Sequence, residues 1–145
     1  MGYTIEATRE AAVDPAAVFA LYMDPSTWSV WGHNVRWARA EGPLIEGGTV
    51  EIRPAYPVTY RARILSLVPE SLLRIEVRPV GLTTINVYEI EATAGGSRIR
   101  HAIEMSGPLS GPIRWLGVAR LYRSSLKDEI RHCVELAQTR SHGSS

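Results

Sequence analysis

The stretch from Gly111 to Thr139 constrains this chain more than any other. It opens on Gly111-Pro112, and proline is well accommodated at the first position of a helix. Apolar residues then recur at helical spacing: Trp115, Ala119, Tyr122, Leu126, Ile130, Cys133 and Ala137. Arg120, Arg123, Lys127, Asp128 and Arg131 fall mostly between them. The pattern predicts one amphipathic helix about 40 Å long, at roughly 1.5 Å per residue. A helix of that kind needs a broad apolar surface to lie on. The region before it alternates like β-sheet, and that sheet is the expected partner. A sheet that curls around so long a helix tends to leave space between the two.

Tyr3 to Arg9 alternates and reads as a first strand. Asp14-Pro15 then starts a short helix, with Asp14 as N-cap and Val18, Phe19, Leu21 and Tyr22 as its apolar face. Asp24-Pro25 repeats the start signal and predicts a second short helix over Ser26 to Trp31. Six strands follow in expectation: Val35–Glu41, Thr49–Arg53, Val58–Val68, a strand through Leu73, Ile75 and Val77, Thr83–Thr93 and Arg98–Ser106. Ala94-Gly95-Gly96-Ser97 is a hairpin connection between the last two. In the last strand Ile99, His101, Ile103 and Met105 share one face, while Arg98, Arg100 and Glu104 share the other. Arg61, Arg63, Arg74 and Arg78 add to that second, outer face, interleaved with Glu76, Glu89 and Glu91, and read as a solvated surface of cross-strand ion pairs.

The chain has 145 residues and a formal net charge of +1. That length predicts a single domain over residues 1–140, with a small polar tail at 141–145. Near-neutral charge gives no electrostatic footprint for nucleic acid. No apolar run reaches the roughly 20 residues that span a bilayer, so no integral membrane segment is expected. The N-terminus lacks the pattern of a signal peptide, and a cytoplasmic location is the expectation. The single Cys133 excludes an intramolecular disulfide and reads as a core residue. No nucleophile elbow, phosphate loop or dinucleotide fingerprint occurs, and the histidines and cysteine are not spaced as metal ligands. Neither metal nor cofactor is implied, and paired carboxylates are not expected to converge on the inward face. The sequence leaves the oligomeric state open.

Three motifs, in order, bear a resemblance. They are Val13-Asp14-Pro15-Ala16-Ala17-Val18-Phe19, then Asp24-Pro25-Ser26-Thr27-Trp28-Ser29-Val30-Trp31, then Gly95-Gly96-Ser97-Arg98-Ile99. Over about Tyr3 to Ala137 the chain resembles the START-like or Bet v 1-like superfamily (SRPBCC), the polyketide cyclase/dehydrase and lipid-transport group. The resemblance implies an α+β helix-grip fold: a curved, antiparallel, seven-stranded sheet wrapped around the C-terminal helix, with two short helices after the first strand. It also implies a ligand cavity between sheet and helix, but no one reaction.

Inward positions supply candidates for that cavity. Tyr60, Ile75, Val77, Ile99, Ile103 and Met105 would form apolar wall, with Asn86 and Tyr88 as polar groups. Trp115, Ala119 and Tyr122 would face them from the helix, and Trp28, Trp31 and Trp37 would close one end near Tyr56. The alternative for each aromatic is plain core packing. His101 is the one catalytic candidate, as general acid or base. Its alternative is a structural histidine satisfied by Asn86, Tyr88 or a backbone group. His33 is read as loop surface or cavity mouth. The leading expectation is a protein that binds a hydrophobic or aromatic small molecule, lipid- or polyketide-like, as its partner. A polyketide aromatase/cyclase-type enzyme using the same cavity is the alternative, and a co-chaperone-like interaction module is a third.

Overall fold

Residues 2–32, 35–55, 58–79, 81–115 and 118–143 are described by a computed structural model, with side chains throughout except at 113–119 and 141–143. The element order is β1 (Tyr3–Ala11), α1 (Pro15–Tyr22), a 3-10 turn (Pro25–Thr27), α2 (Trp28–Trp31), β2 (Trp37–Arg39), β3 (Thr49–Arg53), β4 (Tyr60–Val68), β5 (Leu72–Val77), β6 (Thr83–Thr93), β7 (Gly96–Ser106), α3 (Ser110–Trp115) and α4 (Val118–Gly143). The strands form one antiparallel sheet in the order β1-β7-β6-β5-β4-β3-β2. With α4 on its inner face and the two short helices after β1, this is the helix-grip fold.

The starts of the short helices follow from their sequence. The Asp14 side chain accepts a hydrogen bond from Ala16 N at 3.0 Å, and Pro15 occupies the first turn, where an N–H would have no intrahelical partner. Asp24 does the same for Ser26 N at 3.1 Å, but opens a 3-10 turn before the α-helical turn at Trp28–Trp31. The predicted C-terminal helix starts one residue earlier than expected, at Ser110, and is described in two stretches separated by the undescribed Leu116-Gly117.

Strand positions follow the period-2 pattern, with differences that have local causes. The second strand shrinks from the expected Val35–Glu41 to Trp37–Arg39. In β4 the register passes from Ile64↔Ile75 to Ser66↔Arg74, so Leu65 is an extra residue in a bulge. A bulge resets parity. Leu67 therefore pairs with Leu73 and joins the inner face. The last strand begins at Gly96 instead of Arg98, because Gly96 pairs with Thr93 and leaves only Ala94-Gly95 in the turn.

The core lies between the inner sheet face and α4. Leu126, Ile130, Cys133, Val134 and Ala137 are buried along one stripe of α4. Burying a side chain such as Ile130 contributes roughly 1.5–3 kcal/mol. The nearest elements to α4 include β1, β7, α1 and α2. Ser97, itself fully buried, donates to Val13 O at 2.6 Å and ties the approach to α1 onto β7. On the outer face Arg98 bridges Glu10 at 2.9 Å and Glu91 at 3.2 Å, while Arg100 pairs with Glu6 and with Glu89. These pairs cross from β1 to β6 over β7, and each exposed pair is worth under about 1 kcal/mol.

Gly96 has φ 146°, and a Cβ there would sit 2.3 Å from Ala11 O and 2.8 Å from Val13 N. Gly95, in the same turn, has nothing within 4 Å of its would-be Cβ. Gly96→Ala should therefore cost more than about 1 kcal/mol in urea unfolding, and Gly95→Ala less than about 0.5 kcal/mol. Equal effects of the two would refute the close approach of β7 to the end of β1.

Candidate ligand-binding site

A cavity of about 310 Å³ lies between the inner sheet face and the first half of α4. Small organic ligands commonly occupy sites of roughly 300–1,000 Å³. Its walls come from β4 through Tyr60, β5 through Ile75 and Val77, β7 through Ile103, and β6 through Thr84, Asn86 and Tyr88. The helix side is Tyr122, Ser125, Leu126 and Glu129, and Trp28 and Trp31 of α2 close one end.

The two tryptophans are held by a local network that the Asp24-Pro25-Ser26-Thr27 segment builds. The single proton of Thr27 Oγ1 is shared between Leu21 O at 2.9 Å and Asp24 O at 2.8 Å, and Oγ1 accepts from Trp31 Nε1 at 3.0 Å. Trp28 Nε1 donates to Tyr22 O at 3.1 Å. Both indole N–H groups are thus satisfied within the protein, and the rings present carbon to the cavity. Trp31 meets Tyr88 edge-on, with centroids 5.6 Å apart and planes at 89°.

His101 is not in the cavity wall. It is fully buried behind Tyr88, whose ring lies 4.9 Å away at 87°. Its Nε2 is 2.7 Å from Tyr22 Oη, and its Nδ1 is 3.2 Å from Glu129 Oε1. Burial pushes the Tyr22 phenol well above its ordinary 10.0, and the neighbouring Cys133, Tyr88 and Glu129 push it the same way, so the hydroxyl keeps its proton. The tautomer that uses every donor follows: Tyr22 O–H donates to Nε2, and Nδ1–H donates to the Glu129 carboxylate. A histidine so engaged positions Glu129. It does not reach a ligand.

The predicted residues divide accordingly. Trp28, Trp31, Tyr60, Ile75, Asn86, Tyr88 and Tyr122 line the cavity. Met105 is buried outside the lining, its sulfur accepting from Tyr3 Oη at 3.1 Å, and Ile99 is buried in the core. Trp37 does not close the end of the cavity. Buried Ala38 takes the inward position of β2, so Trp37 and Arg39 share the opposite face, with the Arg39 guanidinium 4.6 Å from the Trp37 ring centroid. Tyr56 and His33 lie outside the described residues, as do the side chains of Trp115 and Ala119. Sequence reasoning missed Glu129 and Tyr22 and expected Asn86, Tyr88 or backbone to satisfy His101. The available sign was Glu129 itself, three residues after Leu126 and four before Cys133, an acid on the apolar stripe of α4.

Burial raises the Tyr88 phenol well above 10.0 too, with Glu129 and Cys133 adding to the effect. Cys133 is pushed up to about 12, first by burial and then by Glu129. The thiol therefore stays protonated and unreactive. Among the described residues no group of His, Cys, Asp and Glu could hold a metal ion, and no helix is long and apolar enough to cross a membrane.

The sheet gripping a long helix over a largely apolar cavity defines a helix-grip protein. By sequence the chain belongs to the polyketide cyclase / dehydrase and lipid transport family, which it matches over residues 3–138. No curated protein matches it. Among solved structures it is similar to a protein of Nitrosomonas europaea, with TM-score 0.77, 17% identity and 96% of each chain covered. It is also similar to the di-domain ARO/CYC StfQ from the steffimycin biosynthetic pathway, with TM-score 0.78, 12% identity, 98% of this chain and 52% of that one. Ara h 8.0201 superposes with TM-score 0.66 and 14% identity over 93% of this chain and 99% of its own. At these identities the likeness is one of fold.

Two outcomes test the buried chemistry. Unfolded tyrosine ionises near the ordinary 10.0, whereas Tyr22 and Tyr88 hold their protons to higher pH when folded. Above that pH the native state binds more protons than the unfolded one, so stability should be flat below it and fall beyond it. Tyrosinate absorbance should show these two phenols ionising only with global unfolding; early, non-cooperative titration of all tyrosines would contradict the burial. Native protein should also resist iodoacetamide at Cys133 and react fully once denatured, as read by mass spectrometry.

Proposed function

We propose that the protein binds a small, largely apolar organic molecule, aromatic or lipid-like, in the cavity between sheet and α4. The observation that supports this reading most is the cavity itself: an interior left unfilled, walled mainly by aliphatic and aromatic carbon. Trp28, Trp31, Ile75 and Leu126 supply apolar wall, and Asn86, Tyr88 and Glu129 supply a few polar groups. Expelling water from apolar walls yields roughly 25 cal/mol per Å² buried. The family description, which joins lipid transport to cyclase and dehydrase chemistry, is consistent with a ligand in this position.

A second reading, cyclase- or dehydrase-type catalysis, draws on one feature. Glu129 is a carboxylate at the cavity wall, supported from behind by His101. In that reading Glu129 is the group that would take or return a proton, and His101 is its support.

Binding can be tested with the neutral fluorophore N-phenyl-1-naphthylamine. Native protein should enhance its emission. Ser125 faces the cavity, and its hydroxyl bonds along the helix, to Leu121 O at 2.9 Å. Ser125→Trp should fill the space and weaken binding at least about tenfold while leaving the melting temperature close to wild type. If native protein gives no enhancement, and native mass spectrometry of gently purified material finds no retained molecule, the reading fails.

A further inference from the structure

The cavity reading leaves open which polar group the ligand bears. Three residues of β6 face the cavity, Thr84, Asn86 and Tyr88, and they differ in how their polar atoms are engaged. Thr84 Oγ1 donates to Val77 O at 3.1 Å, within the sheet. Asn86 stands in register between Ile75 of β5 and Ile103 of β7, two aliphatic neighbours that also line the cavity. Among the described residues nothing hydrogen-bonds to the Asn86 amide or to the Tyr88 hydroxyl, and no buried side-chain nitrogen or oxygen is left without a partner. The amide and the phenol oxygen are therefore open to the cavity rather than sealed inside its wall.

The Tyr88 ring is fixed edge-on against His101 and Trp31, with centroids 4.9 and 5.6 Å away, so its hydroxyl cannot swing aside. Burial, then Glu129 and Cys133, keep the proton on that hydroxyl, which makes it a standing donor. The Asn86 amide adds two N–H donors and one carbonyl oxygen. The pair thus offers three donor hydrogens, and what it lacks is an acceptor. Residues two apart share a strand face about 7 Å from each other, so their side-chain ends can meet on one atom between them. A carbonyl oxygen has two lone pairs and accepts from both. An apolar group placed there would strip water from both donors and give nothing back. A ligand hydroxyl would bring a further donor to a place already rich in them.

We propose that Asn86 and Tyr88 form the specificity-determining subsite of the cavity, and that the ligand is an apolar body bearing a carbonyl oxygen: a ketone, aldehyde, ester or amide. Tyr88 O–H and the Asn86 amide N–H donate to that oxygen together. The proposal rests on the cavity reading and narrows it to a ligand class.

The test uses 2-acetylnaphthalene and 2-isopropenylnaphthalene, two neutral probes of one shape that differ only in C=O against C=CH2. Affinities are read by displacement of N-phenyl-1-naphthylamine. The ketone gives up more on leaving water, so a cavity without free donors would favour the alkene. Native protein should instead bind the ketone at least as tightly as the alkene. Asn86→Leu and Tyr88→Phe should each lower the ketone-to-alkene affinity ratio by about three- to tenfold, while affinity for the alkene stays near wild type. Tighter binding of the alkene to native protein would overturn the carbonyl assignment and leave the cavity reading intact. So would a ratio that neither substitution moves. Tighter binding of 1-(2-naphthyl)ethanol than of the ketone would overturn it too, by assigning the subsite to a hydroxyl. Failure of all three probes to bind would remove the cavity reading, and this inference with it. The comparison on native protein needs no variant, so poor folding of either one would not rescue the proposal.

Discussion

One run of hydrogen bonds, Tyr22 to His101 to Glu129, joins α1, β7 and α4. It is the constraint on which the rest of the interior depends. A buried polar group left without a partner costs about 1–3 kcal/mol, and more if charged. None of the three residues can therefore move far without stranding the next. Among the described residues no buried side-chain nitrogen or oxygen lacks a partner. A network of this kind selects one arrangement over its rivals more than it adds net stability.

That arrangement also explains why the interior is not filled. The stripe of α4 ends in small residues, Cys133, Val134 and Ala137, all buried. Toward its start the helix stands over larger spans, where Tyr122, Ser125 and Glu129 look across at β5 and β6. Tyr22, Trp31, Tyr88 and His101 form an aromatic cluster at one end, in contact through tilted or edge-on pairs. Rigid rings propped against one another cannot collapse into the adjoining space as flexible aliphatic chains would.

Much of the fold was legible because its signals are local. Alternation in β7 sets Arg98, Arg100 and Glu104 against Ile99, Ile103 and Met105, so that strand and its inward face could be read directly, whereas in β6 only Tyr88 to Glu91 show the same contrast. Asp14-Pro15 and Asp24-Pro25 mark helix starts by capping chemistry that needs no tertiary context. The candidate site was less legible, for identifiable reasons. Trp37 lies in a three-residue strand, too short for alternation to define its face. In α1, Val18, Phe19, Leu21 and Tyr22 are all buried, so periodicity does not say where the Tyr22 hydroxyl points. Glu129 was hidden because the apolar stripe of α4 draws the eye past an acid set within it. Its partner on β7 is distant in sequence, and no local pattern announces that meeting.

The sheet never closes into a barrel, so β1 and β2 remain as its two borders. Of these, β2 spans only Trp37–Arg39, and a passing strand would find few free amides there to template on. Along β1, the outward Glu6 and Glu10 are engaged by arginines of β7. Ionic groups along that border, and brevity along the other, work against runaway strand addition between molecules, the hazard that an unclosed sheet otherwise brings to a crowded solution.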